Sequence, residues 1–223
     1  MAITIHVPWD KYRSVLIDCD DTLLATIKIR WKSLTEAAHQ YGVQLDPTLI
    51  QAHWGKPFNE LIAVLLPQVD FASFLSSYQQ VMKRHHPQLL PGASRLIAFL
   101  REQGILIEII TSSHRDLIAQ DLANVRLLEC FDGIWGYEET YPYFKPNPEV
   151  LYPLLRRLHG YGITAQNMLY IGDSVRDYSI ARKNKIDFIA VTTGLEDRQS
   201  FMQRGLPEQR IAETLSDILL EVP

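Results

Sequence analysis

Two short apolar runs in this chain, and a third strand candidate interrupted only by Glu108, each end on a polar group suited to chemistry. Ser14 to Ile17 leads into Asp18, Ile105 to Ile110 into Thr111, and Met168 to Ile171 into Gly172-Asp173. Continuous apolar runs of this length read as strands buried on both faces, as in a parallel sheet covered by helices. Phe188 to Thr192 repeats the texture, and Gly133 to Tyr137 is a shorter strand candidate. Helical patterns lie between them, at about Ala93 to Glu102, His114 to Ala123, Pro148 to Leu158 and Val175 to Asn184. Asn147 and Pro148 suit the opening of the third. Pro153 inside it is expected to bend that helix or delay its start. Strands alternating with helices imply right-handed crossovers and one parallel sheet. Ligands of such sheets collect at the carboxyl ends of the strands. Asp18, Thr111 and Asp173 are therefore expected to converge, with Lys145 reaching them from a loop.

Residues 25–90 break the alternation. Ile27, Trp31, Leu34, Ala38 and Tyr41 recur at helical spacing, with Lys28, Lys32, Glu36 and Gln40 between them and Gly42 ending the run. Further helical patterns run from Phe58 to Leu66 and from Phe71 to Met82, on either side of Pro67, and no strand pattern is visible. The expected fold class is α/β: a Rossmann-like parallel sheet sandwiched by helices, with an inserted all-helical cap. Residues 1–24 and 91–223 would form the core and 25–90 the cap. A chain of 223 residues, 47% of them apolar, is long enough for that arrangement.

Charge and composition narrow the partners. A formal net charge of −4 argues against nucleic acid. Two cysteines, Cys19 and Cys130, make no disulfide framework and suit a reducing, cytoplasmic setting. The N-terminus lacks the basic start and apolar stretch of a signal peptide. The densest apolar run, about Leu61 to Leu66, falls far short of the ~20 residues of a membrane span. Repeats and low-complexity tracts are absent, and the sequence carries no signal of oligomeric state.

The motifs carry chemistry in different degrees. In an extended segment residues two apart face the same way, so Asp18 and Asp20 present both carboxylates to one volume while Cys19 turns away. Two carboxylates ~4 Å apart repel by about 4 kcal/mol at an effective dielectric of 20, so one is protonated or a cation sits nearby. Magnesium accepts one or two carboxylates together with phosphate oxygens. An ordinary acidic turn would use the same residue types. Thr111, with N–H groups at a helix start, suits a phosphate; alternatively Ser112 or Ser113 caps the next helix. Lys145 suits an ammonium set against acids and a transferred phosphate, or a surface position in a proline-rich loop. Gly172 permits a tight turn. Asp173 then meets the metal, with Asp177 one helical turn on, near Lys145 or a metal-bound water; acids favoured at a helix N-terminus are the competing explanation.

Taken in order, Asp18-x-Asp20-x-Thr22, Thr111, Lys145 and Gly172-Asp173 followed by Asp177 resemble the haloacid dehalogenase superfamily. The resemblance runs from about Val15 to Gly194. An insertion between the first two motifs, and the run Lys145-Pro146-Asn147-Pro148-Glu149, resemble the helical-cap branch that includes phosphoglycolate phosphatase-like enzymes and β-phosphoglucomutase. Only 33 residues separate Thr111 from Lys145, too few for a large second cap. The resemblance implies an Mg2+-dependent phosphatase acting on a small phosphorylated metabolite through an aspartyl phosphate. It implies Asp18 as nucleophile and metal ligand, and Asp20 as general acid/base with its carbonyl on the metal. Thr111, Ser112 and Lys145 would hold the phosphoryl group, and Asp173 would complete the metal site with Asp177 in support. Asp21 stands where the family most often has glycine, and Ala25 replaces a frequent acid.

Three alternatives share these features: a phosphomutase using the same intermediate, a dehalogenase, and a non-catalytic phospho-ligand or partner-binding protein. Asp20 argues against the dehalogenase, because displacing a halide needs no acid. The completeness of the set argues against the non-catalytic protein. Cys19 lacks the arginine six positions on that a cysteine phosphatase requires; Ala25 stands there. His85-His86 has no visible ligand cluster and reads as a solvated hinge. Trp54-Gly55-Lys56 falls where related caps carry a specificity loop, and equally suits a helix-joining turn. Arg30 lies off the Ile27–Tyr41 stripe, which places it facing the cleft or, as an ordinary arginine, exposed. Residues 25–90 carry six Lys/Arg against four Asp/Glu, which suits an anionic substrate without requiring one.

Overall fold

The computed structural model describes residues 4–221. Its strands are β1 (Ser14–Ile17), β2 (Leu106–Ile110), β3 (Gly133–Trp135), β4 (Met168–Gly172), β5 (Asp187–Val191) and β6 (Ile211–Ala212). They form one sheet in the order β3-β2-β1-β4-β5-β6, with every neighbouring pair parallel. All of β1 and β4 is buried, as runs without polar alternation require. Side chains still alternate between two layers. Val15, Ile17, Ile107, Ile109, Leu169 and Ile171 face one, while Leu16, Ile110, Met168 and Tyr170 face the other.

Two compact units divide the chain: one runs up to Leu24 and resumes at Leu89, and the other is Ala25–Gln88. Leu89 forms an antiparallel bridge with Leu24, and the Leu90 N–H donates to the Leu23 carbonyl at 2.8 Å. Leu89 and Leu90 thus sit with the α/β unit.

The Ala25–Gln88 unit contains α1 (Ile27–His39), α2 (Pro47–His53), α3 (Phe58–Leu65) and α4 (Phe71–Met82). Its interior collects Leu34, Ile50, Leu61, Ile62, Leu65, Phe74, Tyr78 and Val81. α2 escaped the sequence pattern because it buries one side chain, Ile50. Its start was nonetheless written in Asp46, which caps Thr48 N–H, and in Pro47. One expectation is corrected here. Arg30 is 3% exposed, against the surface position foreseen for an ordinary arginine. The buried face of α1 runs through Arg30, Ser33, Leu34, Ala37 and Ala38. That is a helical stripe of its own, and an apolar-only pattern passes over its polar members.

The α/β unit adds α5 (Ala93–Glu102), α6 (Arg115–Asn124), α7 (Tyr137–Thr140), α8 (Tyr152–Gly160), α9 (Val175–Lys183) and α10 (Arg198–Gln203). Leu96, Leu100, Ile118 and Leu122 of α5 and α6 cover one layer of the sheet. Leu154, Leu158, Ile180 and Phe201 of α8, α9 and α10 cover the other. Pro153 delays its helix: residues Pro148–Leu151 make a 3-10 turn, and α8 begins at Tyr152 with proline in its first turn. There the missing N–H would have had no helical partner in any case.

Candidate active site

Strand register sets the geometry. Ile17 pairs with Ile109 and Ile171, so Asp18, Thr111 and Asp173 leave the sheet along the same carboxyl edge. The Asp18 N–H donates to the Ile171 carbonyl at 2.9 Å, and the Thr111 N–H to the Trp135 carbonyl at 3.0 Å. Directly after Asp18 the chain turns, with the Leu23 and Leu24 N–H groups both donating to the Cys19 carbonyl at 3.1 Å. Asp21 sits in this turn at φ 61°. Glycine reaches that left-handed region most readily, and aspartate is among the few side chains that tolerate it. This explains how Asp21 stands where a glycine is usual. The Thr193 hydroxyl donates to the Asp21 carbonyl and ties the turn to the segment after β5.

Lys145 is the hub. Its buried ammonium lies 2.6 Å from Asp18 Oδ1, 2.6 Å from Asp177 Oδ1 and 2.9 Å from the Ile110 carbonyl. An ammonium has three N–H donors, and here three acceptors meet them. The bland reading of Lys145 as a surface residue is thereby excluded. Asp177, buried at the start of α9, also accepts from Tyr170 Oη at 2.6 Å and from Ser174 Oγ at 2.5 Å. Ser174 in turn caps α9 through the Asp177 N–H.

The remaining charge is negative and buried. Burial pushes the Asp18 carboxyl up to about 7, with Lys145 opposing and Asp177 and Asp20 reinforcing the rise. Burial, then Asp18, Asp177 and Asp21, raise Asp173 well above the usual carboxylate range. Lys145 stays charged: burial works against its ammonium, and Asp177 and Asp18 outweigh it. Carboxylate oxygens of Asp18, Asp173 and Asp177 lie within 4.8 Å of one another. Three acids against one ammonium leave an excess that a divalent cation would neutralise, and an all-oxygen donor set suits Mg2+. Because Lys145, Tyr170 and Ser174 already occupy Asp177, the residues fitted to hold an ion are Asp18 and Asp173.

Asp20 has different partners. Its Oδ2 accepts from the Ser113 hydroxyl at 2.7 Å and lies 3.5 Å from Thr111 Oγ1. The two carboxylates of the first motif are thus close enough to influence each other, yet they are held by separate groups. Neither Ser112 nor Ser113 caps the next helix; His114 occupies the N-cap of α6. Ser112 makes no side-chain hydrogen bond among the described residues. Ser113 was seen in the sequence only as a capping candidate. Tyr170 was hidden in an apolar run. Thr22, present in the first motif, donates to Asp173 Oδ1 at 3.1 Å. Gly194 lies so close to Asp173 that any Cβ there would overlap its carboxylate.

Residues 15–191 match the family described as haloacid dehalogenase-like hydrolase. The chain belongs to that family. This haloacid dehalogenase-like hydrolase is 26% identical over 201 residues to a phosphoglycolate phosphatase of Neisseria gonorrhoeae, covering 83% of the chain and 82% of the relative. It is 24% identical over 213 residues to pyrophosphatase PpaX of Bacillus cereus, covering 94% and 95%. A protein of Bacteroides fragilis named as a haloacid dehalogenase-like hydrolase has a crystal structure that matches with a TM-score of 0.76 at 28% identity, over 92% of this chain and 98% of that one. The remaining three sequence candidates belong to the hydrolase's helical unit. Lys56 is exposed beside Gly55, which holds φ 81° in the turn between α2 and α3. Trp54 meets Trp31 edge-on at 5.9 Å, and Arg30 is buried on α1. No helix among the described residues is long and apolar enough to cross a membrane.

Proposed function

We propose that this hydrolase is an Mg2+-dependent phosphatase that cleaves the monoester of a small phosphorylated metabolite through an aspartyl phosphate on Asp18. The observation that carries the proposal is the placing of Asp18, buried at a strand end, against the Lys145 ammonium and beside Asp173. Two residues on, Asp20 has separate hydroxyl partners. An Asp18 oxygen attacks phosphorus, and the electrons of the breaking P–O bond pass to the leaving oxygen, which takes a proton from Asp20. Asp20, now a carboxylate, draws a proton from water as the water oxygen attacks the same phosphorus and releases Asp18. Lys145 offsets charge on Asp18 throughout, while Thr111 and Ser112 hold phosphoryl oxygens. Asp18, Asp173 and the Asp20 carbonyl would hold Mg2+, which when bound would supply the positive charge that lets carboxylates and phosphate share one site.

Residues 25–88 are the cap in this reading, with Lys56, Trp54 and Arg30 as its contribution to substrate choice. Names of the relatives, a phosphoglycolate phosphatase and a pyrophosphatase, support a small anionic substrate. Cys19 and Cys130 form no disulfide, which supports a cytoplasmic setting. The test is an assay on para-nitrophenyl phosphate with and without Mg2+. Hydrolysis abolished by EDTA, restored by Mg2+ and absent from Asp18→Asn is expected. Turnover by pure Asp18→Asn protein would reject the nucleophile. Net phosphate release, rather than an isomerised sugar phosphate, separates the phosphatase from a mutase.

A further inference from the structure

Asp20 has to be held in one orientation both as an acid and as a base, and the fold supplies a group for this. The Ser113 hydroxyl lies 2.7 Å from Asp20 Oδ2. Its backbone is fixed on both sides. The Ser113 N–H donates to Thr111 Oγ1 at 3.1 Å, and its carbonyl accepts from the Tyr137 N–H at 3.0 Å. Gly136 presses against the same turn: a Cβ there would lie 2.8 Å from the Arg115 nitrogen and 2.9 Å from the Ser113 oxygen. Glu138 Oε2 accepts from the Arg115 N–H at 3.0 Å and pins the next residue but one. The hydroxyl is therefore presented from a platform whose backbone has little freedom. It is not spent on capping, since His114 occupies that position.

We infer that Ser113 is a positioning residue for Asp20, holding its carboxyl for proton transfer to the leaving group and later from water. A hydroxyl both donates and accepts. It donates to the carboxylate and accepts from the carboxylic acid, so the contact survives each change of protonation, which a backbone N–H would not allow. Thr111 does not replace it. At 3.5 Å its own approach to Asp20 is long, and its oxygen already accepts from the Ser113 N–H. The inference rests on the phosphatase reading above and deepens it.

Leaving-group dependence tests it. A good leaving group departs with little help from an acid, whereas an alkoxide needs the proton. We expect Ser113→Ala to lower kcat/KM on an alkyl phosphate by ~10-fold or more, a part of the roughly 100- to 10,000-fold that general acid catalysis contributes. On para-nitrophenyl phosphate the loss should be a factor of ~2 or 3 on the same grounds. Ser113→Thr should restore the alkyl rate and the nearly isosteric Ser113→Val should not, a pair that keeps the comparison valid if the alanine variant unfolds. The Mg2+ midpoint should stay unchanged. Asp20→Asn is the control and should show the same selective loss, larger in size. A selective Asp20→Asn beside a Ser113→Val equal to Ser113→Thr on both substrates overturns the role of Ser113 and leaves the phosphatase standing. A uniform loss in Asp20→Asn removes the acid itself, and this inference with it.

Discussion

A single methyl group at Gly194 tests the proposed metal site without replacing a ligand. A Cβ there would lie 1.7 Å from Asp173 Oδ2 and 2.7 Å from Asp173 Cγ. Non-bonded carbon contacts settle at roughly 3.5 Å, so the carboxylate of Gly194→Ala has to retreat by well over an ångström. The end of a side chain yields, whereas the backbone of Gly194 is under no left-handed constraint. The fold should therefore survive, while the Thr22 bond to Asp173 at 3.1 Å is lost. Metal–ligand distances tolerate only ~0.2 Å, so a displaced Asp173 no longer serves. Disturbing groups behind a ligand commonly costs ~10- to 100-fold in metal affinity. Moving the ligand itself should reach at least the upper end, ~100-fold on the same scale. Calorimetric Mg2+ titration of the two proteins reads this directly, and thermal unfolding with and without Mg2+ provides a second measure. The expected variant melts like the parent in EDTA and loses most of the Mg2+-induced rise. An unchanged Mg2+ midpoint at full folding would remove Asp173 from the metal site.

Two further outcomes follow from the buried charges. The folded Asp18 carboxyl, raised by burial from 3.8 to about 7, lies above its unfolded value, so metal-free protein should lose stability as pH climbs through that window. At about 1.4 kcal/mol per pH unit the loss from Asp18 is on the order of 4 kcal/mol, and Asp173 acts in the same direction. Urea unfolding in EDTA should thus have a higher midpoint at mildly acidic than at neutral pH, and added Mg2+ should narrow the gap; a pH-independent midpoint would contradict it. Lys145→Met removes the one ammonium shared by Asp18 and Asp177. Breaking a buried pair in this way costs roughly 3–5 kcal/mol, so a urea midpoint within experimental error of the parent would show that the pair carries no stabilising charge interaction.

The sheet was legible because burial on both faces writes itself as an unbroken apolar run. β1 and β4 are of this kind, and the polar residue ending each run marks the edge where the site lies. β6 and α10, with two and six residues, are too short for periodicity to register. The burial of Arg30 is not legible in an apolar pattern, because the face of α1 that it shares with Ser33 is partly polar. Ser113 illustrates a different limit. Its residue type is consistent with a cap, and only the turn from Thr111 to Arg115, pressed against Gly136, aims its hydroxyl at Asp20. A motif names the groups that meet, but the orientation of each is a tertiary property.

The acids at the sheet edge divide by how their oxygens are occupied. Asp177 is saturated: Lys145, Tyr170 and Ser174 each take a place on it, and its N–H closes the cap of α9. A carboxylate so fully bonded gains nothing from an incoming ion and is costly to move. It anchors Lys145, and Lys145 in turn holds Asp18. Asp18 and Asp173 are supported more sparsely, and burial raises both. Among the described residues, Asp18 shares the Lys145 ammonium with Asp177, and the charge left over falls chiefly on Asp173. In that arrangement the free energy of burying the acids opposes folding until a cation or a proton arrives. The same imbalance that would weaken the metal-free fold is what, in the proposed reading, would give the site its affinity for a divalent ion and then for a phosphoryl group.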